Sequence, residues 1–180
     1  MVTVAVATAG CTFNTNPSSG SASPSASTAP QNITGYSTYT NATAGVRIQY
    51  PSGWGVTEGG SNSKVVKFNA PEGATSVAVL SSPAGTSSLE ELHNTIISGL
   101  LNETSYNYTL VSTEKTTLAG MPAITSTLTA TIGDVTVKQR YVTMEKGDQW
   151  YSLIFSGDSE VWSKYQNDFS NMTNSFAITS

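Results

Sequence analysis

The sequence has few residues whose types suggest chemistry, and the first of them is its only cysteine, Cys11. The small residues Thr8-Ala9-Gly10 precede it, and an apolar stretch of valines and alanines leads into them. An apolar segment followed by small residues is typical of the end of a secretory signal peptide. A cysteine directly after such a segment resembles the acylated cysteine of a lipobox. The pattern therefore predicts that Cys11 carries a lipid and holds the protein at a membrane face, outside the cytoplasm.

Two features of this N-terminal segment depart from the usual pattern. No Lys or Arg precedes Cys11, and Thr8 occupies the position where lipoboxes usually carry Leu. The alternative is an incidental free thiol in a disordered N-terminus. A Ser-, Ala-, Pro- and Thr-rich segment follows, from about residue 17 to residue 30, and such a composition cannot bury a core. We predict a signal remnant, lipobox and tether over residues 1–30 and one folded domain over residues 31–180.

The only histidine, His93, is the next candidate. A zinc site or a general base would need further ligands or a nucleophile close to it, and none stands at local spacing. His93 lies beside Leu89 and Ile96 on a predicted helix, so we expect a histidine at the boundary between core and surface that hydrogen-bonds locally. The alternative is a hydrolase or metal-dependent site that distant carboxylates assemble with His93.

Four carboxylates lie close together in the sequence, around the last predicted strand: Glu145, Asp148, Asp158 and Glu160. Carboxylate oxygens are the ligands that calcium prefers, but the Asp-x-Asp-x-Asp-Gly spacing of a calcium loop is missing. We expect turn and capping roles for these residues. The sequence also lacks a Gly-x-Ser-x-Gly nucleophile motif and a Gly-rich phosphate loop. We therefore expect no catalytic residue, no metal and no cofactor.

Three tryptophans could stack on a sugar or a peptide: Trp54, Trp150 and Trp162. Two of them fall in apolar periodic patterns. We expect the tryptophans to pack in the core, with Trp54 the most exposed of the three.

The composition excludes several classes of partner. Only 11% of the residues are charged, the net charge is -4 and the isoelectric point is near 4.8. Nucleic-acid binding needs a basic surface that neutralises phosphates, so we expect no nucleic-acid partner. A single cysteine excludes an intrachain disulfide framework, and no stretch after the tether reaches the ~20 apolar residues of a membrane span.

The elements that must position these residues are mainly strands. Alternating patterns separated by turn residues predict strands at 36–40, 46–50, 64–69, 75–81, 106–113, 123–131, 135–144 and 149–156. The turns Gly133-Asp134 and Gly147-Asp148 join the last three strands as hairpins. Because short turns join most of the strands, we expect an antiparallel sheet.

Two amphipathic patterns predict helices. The first runs from about Leu89 to Asn102, with Ser87 or Ser88 as its N-cap. The second runs from about Ser159 to Phe176, capped by Asp158 or Ser159, with an aromatic stripe that includes Trp162 and Phe169. Several strands are apolar on both faces and so must be covered on both faces. The predicted fold class is α+β, with one antiparallel sheet between helices in an α/β/α sandwich.

Three blocks of sequence, taken in order, resemble the PsbP-like family, which is named for an extrinsic lumenal subunit of photosystem II. The first is Tyr36–Trp54, where a strand runs into Tyr50-Pro51-Ser52-Gly53-Trp54. The second is Thr117–Ala123, which is similar to the family's short Gly-x-Pro-Ala turn, and the third is the tail from Trp150 to Phe176. The resemblance covers about residues 33–179 and implies an α/β/α sandwich.

The resemblance implies a binding or accessory role and no enzyme activity, since family members are mostly of that kind. Together with the tether, it predicts an extracytoplasmic module that docks on a membrane complex or envelope component, or that holds a small ligand. We expect a protein partner in the envelope and a membrane contact through the lipid on Cys11. A cell-envelope enzyme and a glycosylated structural component of the surface layer remain as alternatives.

Overall fold

The computed structural model describes residues 32–59, 64–72 and 74–179. Cys11 and the whole predicted tether, residues 1–30, lie outside this part of the chain, so the lipid anchor stays a prediction. The described residues form ten strands, one 3₁₀ helix and two α-helices. In chain order they are β1 (Tyr36–Asn41), β2 (Val46–Pro51), β3 (Gly55–Glu58), β4 (Lys64–Asn69), β5 (Ser76–Pro83), α1 (Leu89–Leu101), β6 (Asn107–Leu118), β7 (Met121–Ile132), β8 (Val135–Lys146), β9 (Gln149–Asp158), the 3₁₀ helix (Trp162–Tyr165), α2 (Gln166–Ser175) and β10 (Ala177–Ile178).

Seven strands make the main sheet, in the order β3-β4-β5-β9-β8-β7-β6. Every neighbouring pair in it is antiparallel, as predicted. The long β6, β7, β8 and β9 follow one another through tight turns in which Gly120, Gly133 and Gly147 have positive φ angles. Glycine adopts this conformation without the steric penalty of a side chain, so these turns can be short enough to join adjacent strands.

The prediction of a single sheet was wrong, because β1, β2 and β10 form a separate three-stranded sheet. Two of its strands were predicted, but the two-residue β10 was not, and the four-residue β3 of the main sheet was also missed. Strands this short carry too little alternation to be recognised from sequence. They exist because β10 pairs with β2 and β3 pairs with β4, which are contacts the local sequence does not encode.

The main sheet is covered on both faces, and the helices take opposite faces. The larger core includes Leu153 and Phe155 of β9, which pack with the 3₁₀ helix, α2 and the small sheet. Alternate residues of the same strand point the other way, so Ile154 packs with Ile97 of α1 in a smaller core. This alternation confirms the α+β sandwich, with antiparallel sheets and helices packed on them.

The first helix agrees with the sequence prediction to within one residue. The Ser88 hydroxyl accepts a hydrogen bond from the backbone N–H of Glu91, and the Glu91 carboxylate accepts one from the backbone N–H of Ser88. This reciprocal capping box satisfies two amides that would otherwise lack a partner at the helix start. The helix is buried along His93 and Ile97, while Leu101 is largely exposed, so the buried face is narrower than the apolar stripe suggested.

The second helix begins later than predicted. Asp158 forms a local turn in which its Oδ1 accepts a hydrogen bond from the backbone N–H of Glu160 at 2.9 Å, but no helix starts there. A 3₁₀ helix comes first, and the α-helix begins at Gln166. The predicted aromatic stripe is confirmed, because all five of its large side chains are buried: Trp162, Tyr165, Phe169, Met172 and Phe176.

Within the described ranges, no helix has both the length and the apolar character to cross a bilayer.

Candidate functional site

A polar groove of about 390 Å³ opens on the sheet face that carries α2. Strands β6, β7 and β8 form its floor, and the last turns of α2 form one wall through Ser170, Thr173 and Asn174. Two rows of cross-strand neighbours fix the floor. Directly opposite residues on adjacent antiparallel strands share one face, so each row presents its side chains together. The rows are Ser112-Thr127-Arg140 and Glu114-Thr125-Val142.

Arg140 is the cation of this groove. Its guanidinium lies over the ring of Phe155, 4.5 Å from the ring centroid. The described residues contain two ion pairs, Lys115–Glu90 and Lys164–Glu72, and neither involves Arg140. The buried Nε of Arg140 also has no hydrogen-bond partner there. Contact with the aromatic face offsets only part of the cost of removing a charge from water, so this guanidinium lacks an anion.

Burial also affects the protonation of Arg140. Desolvation lowers the pKa of its guanidinium from the ordinary value. An arginine nevertheless stays protonated at neutral pH, because its pKa starts above about 12. The groove therefore contains a fixed positive charge in partly desolvated surroundings, where a charged hydrogen bond is stronger than it would be in open water.

Hydroxyl groups make up most of the remaining polar lining. The buried Oγ1 of Thr125 has no hydrogen-bond partner among the described residues, like the Nε of Arg140. Unpaired buried polar atoms cost about 1–3 kcal/mol each, and natural structures usually pair them. Thr125 and Arg140 lie on the adjacent strands β7 and β8 of the groove floor. Two unpaired polar atoms in the same groove indicate a site that still lacks hydrogen-bond partners. The hydroxyl-bearing residues of the lining are Ser112, Thr116, Thr117, Thr125, Thr127 and Thr173, together with Ser170.

His93 lies on the opposite face of the sheet and takes no part in this groove. It is fully buried, which corrects the prediction of a histidine at the boundary between core and surface with local hydrogen bonds. Its Nε2 lies 2.8 Å from the Ser126 hydroxyl and its Nδ1 lies 3.1 Å from the Thr143 hydroxyl. These partners are 33 and 50 residues away in the sequence, so only strand pairing brings them to the histidine.

The hydroxyl partners of His93 continue as a network across four strands. Ser126 bonds Thr113 at 2.7 Å, and Thr143 bonds Ser152 at 2.8 Å. A Ser–His pair can act in nucleophilic catalysis when a carboxylate orients the histidine and a substrate can reach the serine. Here a threonine hydroxyl occupies the orienting position, and both Ser126 and His93 are 0% exposed. Burial lowers the pKa of His93, which favours the neutral ring inside the sandwich.

The four carboxylates that are close in sequence are not brought together. Glu145 and Asp148 lie at the β8–β9 turn, whereas Asp158 pairs with Val137 near the far end of the same two strands. A shallow cavity of about 480 Å³ near Asp158 also contains Asp134 and Glu160. Within residues 32–59, 64–72 and 74–179, no group of three acidic, histidine or cysteine side chains has the arrangement of a metal site.

The tryptophans mostly follow the prediction. Trp162 is buried, and Trp150 is partly buried. Trp54 was expected to be the most exposed of the three, but it is only 7% exposed because it packs edge-on against Tyr165 and Phe169. None of the three tryptophans lines the groove.

Sequence reasoning missed Arg140 altogether. The sequence did contain a sign of it, because Arg140 alternates along the strand with Val142 and Met144 and so shares their face. Val142 and Met144 both pack in the larger core. A charged residue at an inward position of an otherwise apolar strand face indicates a special environment. The threonines of β7 could not be recognised in this way, since alternating threonines are common in ordinary strands.

Comparison with known proteins gives a consistent result for the fold. The structure resembles the cyanobacterial PsbP protein CyanoP of Synechocystis sp. PCC 6803, with a TM-score of 0.65 and 16% identity over 82% of this chain and 94% of that one. It also resembles LpqN of Mycobacterium tuberculosis, a protein involved in cell envelope biogenesis. The TM-score is 0.59 and the identity is 13%, over 75% of this chain and 83% of LpqN. The Ran-binding protein Mog1p of Saccharomyces cerevisiae gives a TM-score of 0.55 and 11% identity, over 81% of this chain and 96% of Mog1p.

At these identities the likeness to solved structures shows the fold alone. A search of curated proteins finds no match. The family comparison is more direct, because the PsbP family model matches residues 34–178, nearly the whole predicted domain. This chain belongs to the PsbP family.

Proposed function

We propose that this protein is a non-enzymatic, lipid-tethered binding module that works outside the cytoplasm and holds a ligand in the groove between β6–β8 and α2. The observation that carries the proposal is the unpaired, half-buried guanidinium of Arg140 in a groove of about 390 Å³. Ligand pockets typically have volumes of about 300–1,000 Å³ and contain a few well-placed polar groups.

The related structures agree with a binding or accessory role. LpqN is involved in cell envelope biogenesis and Mog1p binds Ran, so proteins of this fold serve as binding or envelope modules in distant organisms. The N-terminal pattern around Cys11 supports the extracytoplasmic location and the tether. We propose that the bound module then docks on a membrane complex or an envelope component.

An enzyme of the cell envelope is the less favoured function. A hydrolase would need a nucleophile and a base that a substrate can reach. The closest arrangement in the described residues, Ser126 with His93, is fully buried on the other side of the sheet from the groove. The described residues of the groove lining include one carboxylate, Glu114, and no histidine.

Replacement of Cys11 tests the tether. We expect Cys11→Ser in the native host to move the protein from the membrane fraction to the soluble fraction, since no other part of the sequence predicts an anchor. The mature N-terminus is checked by mass spectrometry, so that an uncleaved signal segment cannot hold the variant at the membrane. A correctly processed variant that stays in the membrane fraction would show that the anchor proposal is wrong.

A groove-filling substitution tests the binding role. Thr127 lies on the groove floor opposite Arg140, and Thr127→Trp would fill much of the cavity. We expect this variant to lose the small molecules that co-purify with the wild-type protein from its host, as detected by native mass spectrometry. Ser98→Trp, on the exposed surface of α1, is the control and should retain them. Equal retention by Thr127→Trp would contradict the groove as the binding site.

A further inference from the structure

We infer that the groove binds a small hydroxylated ligand carrying a single carboxylate, which pairs with the guanidinium of Arg140. This inference rests on the proposed function, because it names the chemical class of the ligand that the groove holds. Three features of the groove carry the inference: the unpaired cation Arg140, the single carboxylate Glu114 and the hydroxyl-rich lining.

The unpaired cation selects an anionic group. A guanidinium presents parallel N–H donors that match the two oxygens of a carboxylate, and such charge-assisted pairs are about twice as strong as neutral hydrogen bonds. Among the described residues, neither an ion pair nor a hydrogen bond supplies this anion to the Arg140 side chain. A ligand carboxylate would supply it in partly desolvated surroundings, where the attraction exceeds its value in bulk water.

The charge balance of the lining selects one negative charge rather than two. Among the described residues that line the groove, Arg140 is the only cation and Glu114 is the only anion. Glu114 is exposed on β6, two strands away from Arg140 in the neighbouring row, so it can oppose any second charge on the ligand. The whole chain also carries a net charge of -4, which disfavours strongly anionic ligands. A phosphate dianion should therefore bind less tightly than a carboxylate monoanion.

The polar lining of the groove favours hydroxyl groups on the rest of the ligand. Serine and threonine side chains from three elements line the same groove as Arg140, and Asn174 adds an amide that can both donate and accept. The described part of the chain places no aromatic residue in the groove lining, so stacking against a ring is not part of the inferred recognition. The unpaired Oγ1 of Thr125 lies one row away from Arg140 and provides a hydrogen-bonding partner close to the carboxylate position.

A matched series of three six-carbon compounds tests the inference. Sorbitol is neutral, gluconate carries one carboxylate, and sorbitol 6-phosphate carries a phosphate dianion. Each is titrated into the isotope-labelled full-length chain while the amide signals of Thr125 and Thr127 and the Nε–H signal of Arg140 are followed by NMR. We expect gluconate to shift these signals at concentrations at least about tenfold lower than either relative, since a charge-assisted pair is lost with sorbitol.

Variants separate a ligand contact from a structural role. Arg140→Gln should weaken gluconate binding at least about tenfold, whereas Lys115→Gln, which removes an exposed cation outside the groove, should not. Arg140→Lys keeps the charge but loses the planar pair of donors, so we expect partial recovery. Glu114→Gln should reduce the discrimination against sorbitol 6-phosphate. The spread of amide signals in each variant shows whether the fold is intact, and Glu114→Gln tests the inference even if the Arg140 variants do not fold.

The outcomes distinguish this inference from the proposed function. If sorbitol or sorbitol 6-phosphate shifts the groove signals as strongly as gluconate, the inferred ligand class is wrong, although the groove still binds ligands. Binding of gluconate that is insensitive to Arg140→Gln in a folded variant would also overturn the inference. If all three compounds leave the groove signals unchanged while Thr127→Trp abolishes retention of native ligands, the inference fails and the proposed function stands.

Discussion

Replacing Phe169 by alanine is expected to destabilise the protein by about 3–5 kcal/mol, the usual cost of removing a large buried aromatic side chain. Phe169 is 1% exposed and occupies the centre of the aromatic stripe of α2. Its ring lies 4.9 Å from the ring of Trp162 and 5.1 Å from that of Phe155, centroid to centroid. The substitution thus removes the ring contact that Phe169 of α2 makes with Phe155 of the central strand β9.

The size of this effect is large against the whole stability of a domain, which is about 5–15 kcal/mol. The midpoint of thermal unfolding should fall by roughly 6–20 °C for a chain of this size. Denaturant titration followed by tryptophan fluorescence measures the free energy of unfolding directly. Asn167→Ala, on the exposed side of the same helix, is the control and should change the free energy by less than about 0.5 kcal/mol.

A different result for Phe169→Ala would assign the helix another role. If the denaturation midpoint is unchanged and partner capture is lost, the stripe would be a docking surface rather than part of the core. The contacts of Phe169 with Trp54, Phe155, Trp162 and Tyr165 favour the core.

The second large effect concerns pH and His93. Burial lowers the pKa of His93 in the folded protein, so the unfolded chain binds a proton at a higher pH than the folded chain does. The neutral His93 ring therefore makes its full contribution to stability above pH 6.5, which is the ordinary pKa of histidine in an unfolded chain. This contribution is lost as the pH falls below that value. We expect the free energy of unfolding to decrease by up to about 1.4 kcal/mol per pH unit in this range.

The pH dependence of the His93→Gln variant checks this assignment. Glutamine keeps a donor and an acceptor near Ser126 and Thr143 but does not titrate, so the slope between pH 7 and pH 5 should flatten. Most carboxylates titrate below this window and contribute little to the difference. A wild-type protein whose stability is constant from pH 7 to pH 5 would contradict the prediction, as would a variant with an unchanged slope.

Local patterns in the sequence predict much of this fold. The capping box at Ser88 and Glu91 marks the start of α1, and the hairpin glycines mark the ends of the long strands. These features depend on residues within a few positions of one another, so the sequence contains the whole interaction. The spacing of the aromatic residues in the tail likewise predicts which side of α2 is buried, because side chains three and four apart share a helix face.

Local sequence patterns predict the functional residues of the molecule less well than they predict its fold. The lone Cys11 and its flanking residues carry the whole case for the tether, and it stays a prediction that fractionation can test. The four acidic residues around β9 lie close together in the sequence, but the two ends of the β8–β9 hairpin keep them apart. Proximity along a strand is misleading here, because each residue of a strand adds about 3.3 Å of separation.

Tertiary structure decided where His93 and Arg140 lie. The partners of His93 come from β7 and β8, so neither its burial nor its hydrogen bonds can be inferred from α1 alone. Arg140 became the cation of a groove because strand register places it opposite Thr127 and Phe155, and because α2 forms a wall above the same face. The sequence by itself determined the periodicity of each element and so which side is apolar. Which elements meet across those faces depends on pairing between distant segments, and that pairing created the groove.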